Sequence, residues 1–161
     1  MTDSRARLVI LCGLPGSGKT TLARRLEIAL PAERYCPDEW MHRLGIDPFD
    51  EVSRHWIEQL QWHRAERGLR LGQHVVIEWG SWSRRERDEL LQKGRELGAA
   101  VELHVLDVPF EVLVERVRVR APDPEGGSIA LTREQMEAYA QMFEPPTPDE
   151  LALYDPPAFG G

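Results

Sequence analysis

A three-layer α/β sandwich, a small parallel sheet with helices on both faces, is the fold class that two observations predict. The first is alternation. Short apolar runs suited to buried strands exchange with longer stretches of helical periodicity along the chain. The second is the segment Gly13-Leu14-Pro15-Gly16-Ser17-Gly18-Lys19-Thr20, which matches the phosphate-binding pattern G-x-x-x-x-G-K-[ST] in full. It sits between an apolar run, Leu8–Cys12, and a helical stretch, which is the context the pattern requires.

The elements follow in order. Strand one covers about 8–12, and the first helix about 18–30, with Leu22, Leu26 and Ile28–Ala29 spaced for one buried face. A short second strand lies near Arg34–Cys36. Asp47-Pro48 reads as an N-cap with proline at the first helical position, opening a long helix to about Leu71 that Gly72 ends. Trp56 and Trp62 on that helix are expected in the core. His74–Glu78 is strand three. Ser83-Arg84-Arg85-Glu86 is a capping box for a helix to about Leu97, closed by Gly98, with a solvated charged face over Arg84–Glu96. Val101–Leu106 is strand four. Pro109 starts a helix to about Arg120, and a Pro/Gly loop spans Ala121–Ser128. Thr132-Arg133-Glu134-Gln135 is a second capping box, for a helix to about Phe143. The proline-rich tail from about 145 reads as irregular, and a fifth strand is not evident. The whole is expected to be a single P-loop NTPase domain, 1–161.

The 161 residues are 42% hydrophobic and 29% charged, a globular mixture, and carry a net charge of −7. A general binder of phosphate backbones carries a basic stripe, so bulk nucleic-acid binding is not expected, although an oligonucleotide end in a local pocket stays open. No apolar run approaches the roughly 18 residues of a membrane span, and Met1–Arg7 has no signal-peptide core. Cys12 and Cys36 each lie in or at the end of a strand and read as buried free thiols in a reducing cytoplasm. The five histidines have no metal-ligand spacing. Oligomeric state is left open.

In open α/β sheets ligands sit beyond the carboxyl ends of the strands, and that rule selects the candidate residues. In the phosphate loop, Gly13, Pro15, Gly16, Ser17 and Gly18 shape a backbone that surrounds the phosphates of ATP; Lys19 reaches the β and γ phosphates; Thr20 ligates Mg²⁺; and Thr21 continues the helix whose positive end faces the anion. Asp38, after strand two, is a candidate base for an attacking hydroxyl, the other reading being a helix cap. Glu78 ends strand three where it can hold the Mg²⁺ shell or bond the acceptor; the other reading is a water-exposed acid. Arg116 and Arg120 share a helix face before the Pro/Gly loop and can close over the γ phosphate; the other reading is a basic face paired with Glu111 and Glu115. Trp40, Trp79 and Trp82 fall at the ends of strands two and three, where flat rings can wall an acceptor pocket or simply pack the core. Arg84 is either an acceptor-binding cation or a first-turn helix residue facing water. These positions describe an ATP-dependent transfer to a hydroxyl of a small-molecule acceptor. The alternatives are a polynucleotide 5′-hydroxyl kinase and a nucleotide-binding regulatory module without transfer chemistry.

GLPGSGKTTLARRLE, PDEW, VVIEWGSWSRRERDEL, VELHVLDVP and FEPPTPDE together resemble the AAA-type P-loop kinases of bacteria, related to chloramphenicol phosphotransferase, zeta toxin and the kinase domain of polynucleotide kinase, over about residues 6–152. The resemblance implies a phosphotransferase that uses ATP and Mg²⁺, with Asp38 as base, Arg120 as lid arginine and the Glu144–Pro148 loop near the adenine. Polynucleotide kinases carry an arginine three residues after the catalytic aspartate, and this chain has Met41 there.

Overall fold

The computed structural model describes residues 3–123 and 129–158. Four parallel strands form its sheet among those residues: β1 (Arg7–Cys12), β2 (Ala32–Tyr35), β3 (His74–Gly80) and β4 (Ala100–Val105), in the order β2-β3-β1-β4. All six residues of β1 are buried, as a central parallel strand covered on both faces requires. Alternate side chains then serve two cores. Leu8 and Ile10 join Val75, Ile77 and Val101 beneath Leu69 and Leu90, while Val9 and Leu11 join Val76 beneath Ala23, Leu26 and Leu30. The chain leaves β1 toward β2 on one side and returns to β4 on the other, so the crevice opens beyond the carboxyl end of β1.

Seven helices connect and cover the sheet in the described residues: α1 (Lys19–Ala29), α2 (Pro37–Arg43), α3 (Glu51–Arg70), α4 (Arg84–Glu96), α5 (Phe110–Val119), α6 (Arg133–Met142) and α7 (Pro148–Leu151). Both capping boxes form, Ser83 with Glu86 and Thr132 with Gln135. The long helix starts later than Asp47-Pro48 implies. Asp50 is its N-cap, accepting from Ser53 N, while Asp47 accepts from Phe49 N at 2.8 Å inside the preceding turn. Two aspartates three apart compete for one cap, and the one nearer the helical run wins. Strand three runs two residues beyond Glu78, so Glu78 and Trp79 belong to the strand rather than to the turn after it.

The tail is ordered where the proline content predicts irregularity. Thr147 caps α7 by accepting from Glu150 N. Asp155 N then donates to Val101 O at 2.8 Å, and the Asp155 carboxylate accepts from Val101 N at 2.8 Å, so the tail closes the outer edge of β4. The expected solvated face of α4 fails at Arg87, which is 0% exposed. Its guanidinium donates to both Glu150 carboxylate oxygens, at 2.6 and 3.1 Å, and to the carbonyls of Ser81 and Trp82 at 3.0 and 2.9 Å. Trp56 fails in the opposite sense and is 63% exposed, whereas Trp62 packs against the core. The Pro/Gly loop falls partly on 124–128, outside the described residues.

Removing one member of a buried ion pair leaves an uncompensated charge, so Glu150→Gln is expected to lower unfolding free energy by about 3–5 kcal/mol in denaturant titration. The double variant Arg87→Met with Glu150→Leu, which leaves no orphaned charge, recovers most of that loss.

Candidate active site

β1 ends at Cys12, and the loop that follows is fixed by close contacts. A methyl group on Gly13 would lie 2.6 Å from Ser17 Oγ, and Gly13 N donates to Gly80 O at 3.1 Å. Gly16 has φ +84°, a conformation that favours glycine, with Leu113 O and Val117 against it. Gly18 caps α1 without a side-chain hydrogen bond, and no acid stands in the first turn. The first N–H groups of α1 are therefore not claimed by a capping side chain, which is what an anion site needs. Lys19 Nζ donates to Gly13 O at 2.8 Å and Leu14 O at 3.0 Å. Burial pushes its amine down to about 8, with the carboxylates of Glu78 and Asp38 opposing.

Thr20 and Glu78 meet across the crevice, the Thr20 hydroxyl donating to Glu78 Oε1. The other Glu78 oxygen accepts from Arg34 Nη1 at 3.2 Å, and Arg34 also pairs with Glu39. Burial raises the Glu78 carboxyl, and the Thr20 hydrogen bond, Arg34 and Lys19 oppose it. A hydroxyl and a carboxylate in contact beside a phosphate loop are oxygen donors suited to Mg²⁺, which takes most of its shell from phosphates and water. No group of three or more His, Cys, Asp or Glu able to hold a metal occurs among the described residues.

Asp38 stands in the first turn of α2, which Pro37 opens at N1 with Cys36 as N-cap, so Asp38 is not the cap. Its carboxylate accepts from Arg54 Nη1 on α3. Arg54 Nε lies 3.3 Å from Glu58, one turn on. Burial pushes Glu58 up to about 7 against the pull of Arg54. A cavity of about 880 Å³ joins these groups, lined by the phosphate loop, Glu78 and Arg116 and by Asp38, Arg54 and Glu58.

The structure gathers most of the sequence candidates on this cavity: Pro15, Gly16, Gly18, Lys19, Thr20, Thr21, Asp38, Glu78, Trp79, Trp82, Arg116 and Arg120 all line it. Arg116 Nη1 donates to Gly16 O at 3.3 Å. Arg120 is the C-cap residue of α5; its Nε is buried without a hydrogen-bond partner, and burial lowers its pKa. Arg118 and Arg133 take the surface pairing with Glu115 and Glu111 instead. Trp40 lies elsewhere, packed against the core with its ring edge-on to Tyr35. Trp82 is on the phosphate-loop side, donating from Nε1 to Gly13 O at 3.0 Å and contacting Tyr139. The sharp turn at Gly80 (φ +92°) and Ser81 (φ +51°) folds it back. Trp79 lines the cavity as Trp82 does, its Nε1 donating to Gln61 Oε1 at 2.9 Å. Arg84 pairs with Asp88 at 2.8 Å and is not on the cavity. Glu144 N donates to Trp82 O at 2.9 Å, which brings the Glu144–Pro148 segment beside the phosphate loop's outer wall.

Sequence reasoning missed Arg34, Arg54 and Glu58. Arg34 on a strand is an inward cation that alternation could have flagged. Arg54 and Glu58 stand four apart on a helix, a spacing that marks a shared face but not what the face meets.

The chain resembles known proteins. The sequence profile of the family described as AAA domain matches residues 8–146. A shikimate kinase of Corynebacterium glutamicum is 28% identical over 153 residues, covering 91% of this chain and 84% of the relative. A solved structure of a Pnkp1/Rnl/Hen1 complex superimposes with a TM-score of 0.63 at 25% identity, over 76% of this chain and 42% of that one. A Pnkp1/Rnl/Hen1 RNA repair complex gives a TM-score of 0.73 at 23% identity, over 88% and 45%. This chain thus spans less than half the length of those two chains. The likeness to a chain of an RNA repair complex contradicts the expectation of a small-molecule acceptor with no bulk nucleic-acid binding. A net charge of −7 sums the whole surface, whereas a polynucleotide end meets only a local pocket. The absence of an arginine at Met41 loses its force as well, because Met41 is fully buried and a cation reaches Asp38 from Arg54. No described helix is long and apolar enough to cross a membrane.

Cys12 and Cys36, flanking the two halves of the site, are buried, and burial pushes their thiols up to about 11 and 12. A thiol reagent at neutral pH is expected to label neither in the folded protein and both in denaturant.

Proposed function

The chain belongs to the AAA-domain P-loop kinase family, and from that premise we propose that it is an ATP-dependent phosphotransferase acting on an alcohol. The observation that carries this reading is one cavity lined both by a phosphate loop and by Asp38, a carboxylate held by the half-buried Arg54. The acceptor oxygen attacks the γ phosphorus in line, its proton passes to Asp38, and the bond to the ADP oxygen breaks. Arg54 holds Asp38 in a single orientation, so the base is pre-positioned rather than recruited. Lys19 moves from the loop carbonyls to the β and γ phosphates, and Arg116 and Arg120 face the transferred group, where negative charge gathers. Thr20 and Glu78 would hold Mg²⁺, which neutralises phosphate charge when bound.

A sugar, a nucleoside or an antibiotic-like alcohol is of a size with the cavity. A polynucleotide 5′-hydroxyl is supported by two observations of its own: the likeness to the RNA repair chains, and Arg54, a guanidinium that can meet a phosphate next to the reacting hydroxyl.

The deciding experiment is transfer of labelled γ phosphate from ATP into a panel holding sugars, nucleosides, shikimate-like alcohols and a 5′-hydroxyl oligonucleotide. Asp38→Asn is expected to keep ATP binding and to lose about 10²-fold or more in transfer. Full transfer in that variant removes Asp38 from the mechanism, and no transfer to any acceptor despite ATP binding favours a regulatory nucleotide-binding module. Lys19 gives a second check. With its amine at about 8, Lys19 is charged below that pH and neutral above it. Phosphates favour the charged form. ATP affinity is therefore expected to be flat below about pH 8 and to fall above it by up to about tenfold per pH unit, with one proton taken up on binding. Calorimetry in buffers of different ionisation enthalpy measures that proton, and Lys19→Ala is expected to abolish the uptake.

A further inference from the structure

Arg54 answers two carboxylates, and the transfer chemistry uses only one of them. Asp38 accepts from Arg54 Nη1. Glu58 stands on the other side of the same guanidinium, its Oε1 3.3 Å from Nε. That separation exceeds the roughly 2.7–2.9 Å of a charge-assisted hydrogen bond, so Glu58 is loosely held. All three side chains line the cavity at 26 to 29% exposure, enough for a solute inside it to reach them. The surroundings of Glu58 are poor for a negative charge. Asp38 on α2 and Glu86 on α4 face it with like charge, and Arg54 is the cation that opposes them. Glu51 and His55 of α3 and Tyr139 of α6 line the same cavity. Burial, together with the neighbouring acids, pushes the Glu58 carboxyl up to about 7.

Asp38, Arg54 and Glu58 sum to one negative charge when both acids are ionised. A singly charged anion that takes the place of Glu58 on Arg54, while Glu58 takes up a proton, leaves that sum unchanged. A neutral ligand makes no such exchange. Resting on the reading of Asp38 as the base, we propose that Glu58 is a specificity-determining residue: it occupies the Arg54 donor that a carboxylate or phosphate group of the acceptor needs, and it yields that donor by accepting a proton. The ligand class is thus an alcohol that also carries an anionic group, and its binding tightens as the pH falls. Asp38 keeps its own hydrogen bond to Nη1 throughout, so the base stays aligned while the second partner of Arg54 is exchanged. Specificity arises because the site excludes an anion until the acid already there is neutralised.

Sulfate tests this without any transfer, because its charge does not change near neutral pH. With Mg²⁺ and a non-hydrolysable ATP analogue filling the phosphate loop, calorimetry on the full chain measures sulfate affinity from pH 6 to 8. A His55→Gln background removes the histidine of the same cavity as a source of pH dependence. Affinity is expected to rise as the pH falls from 8 toward 7, by up to about tenfold per pH unit and with a proton taken up, and to level off below. Glu58→Gln is expected to bind sulfate about tenfold or more tighter at pH 8, without pH dependence. Arg54→Gln is expected to lose sulfate binding with unchanged circular dichroism. In the transfer panel, Glu58→Gln is expected to lower KM for a sugar acid if the anion is a carboxylate, or for a nucleoside 3′-phosphate if it is a phosphate, and not for the neutral counterpart. No sulfate binding in either form of residue 58 overturns the proposal, as does binding that survives Arg54→Gln. Unchanged affinity in Glu58→Gln also overturns it, since a residue that only braces Arg54 gives that result. The sulfate affinities do not depend on transfer, so they fail or hold separately from the Asp38→Asn result that tests the phosphotransferase reading.

Discussion

One buried guanidinium holds the parts of this molecule in register. Arg87 leaves α4, enters the interior with no exposure, and spends its donors on the α7 carboxylate and on the two carbonyls that follow β3. The carbonyls belong to the turn that folds Trp82 back onto Gly13. Three elements distant in sequence, namely the phosphate-loop wall, the end of β3 and the C-terminal helix, therefore share one charge. Such a pair is expensive to desolvate and contributes little net stability against an apolar alternative. Its geometry is what matters here: a planar fork can satisfy a carboxylate and two carbonyls at once, which an aliphatic side chain cannot.

The cavity repeats the device at smaller scale. Two acids essential to the proposed chemistry, Glu78 and Asp38, are each met by an arginine from another element, Arg34 from β2 and Arg54 from α3. Burial raises the Glu78 carboxyl, and the Thr20 hydrogen bond, Arg34 and Lys19 oppose it. Glu58, which shares Arg54 with Asp38, rises to about 7 all the same. Arg120 stands in contrast, with its Nε buried and without a hydrogen-bond partner while Nη2 donates to Ile129 O at 3.5 Å.

Much of the architecture is legible in residue order. The alternation of apolar runs and helical periods gives a parallel sheet, and the eight residues from Gly13 to Thr20 locate the phosphate site, because both depend on local pattern alone. Both capping boxes form where Ser83 and Thr132 announce them. Failures cluster where a long-range partner decides. Arg87 looks like any charge on an exposed helix until Glu150 arrives from 63 residues away. The proline-rich tail lacks a periodic signal, yet Asp155 pairs it to β4. Trp40 and Trp82 follow strand ends as sequence reasoning places them, but a turn with positive φ sends one ring to the phosphate loop, and Tyr35 draws the other into the core.

The sequence by itself determined the fold class, the nucleotide end of the site and the positions of Asp38 and Glu78 at the carboxyl ends of strands, since each follows from short-range spacing and from the handedness of the parallel crossover. Only the tertiary structure decided which cations those acids meet, which of the three tryptophans stays off the cavity, and which face of α3 is left to solvent. Those depend on how helices 15 to 60 residues apart pack across the sheet. Burial and Coulomb energies act through space, and no local pattern along the chain encodes them.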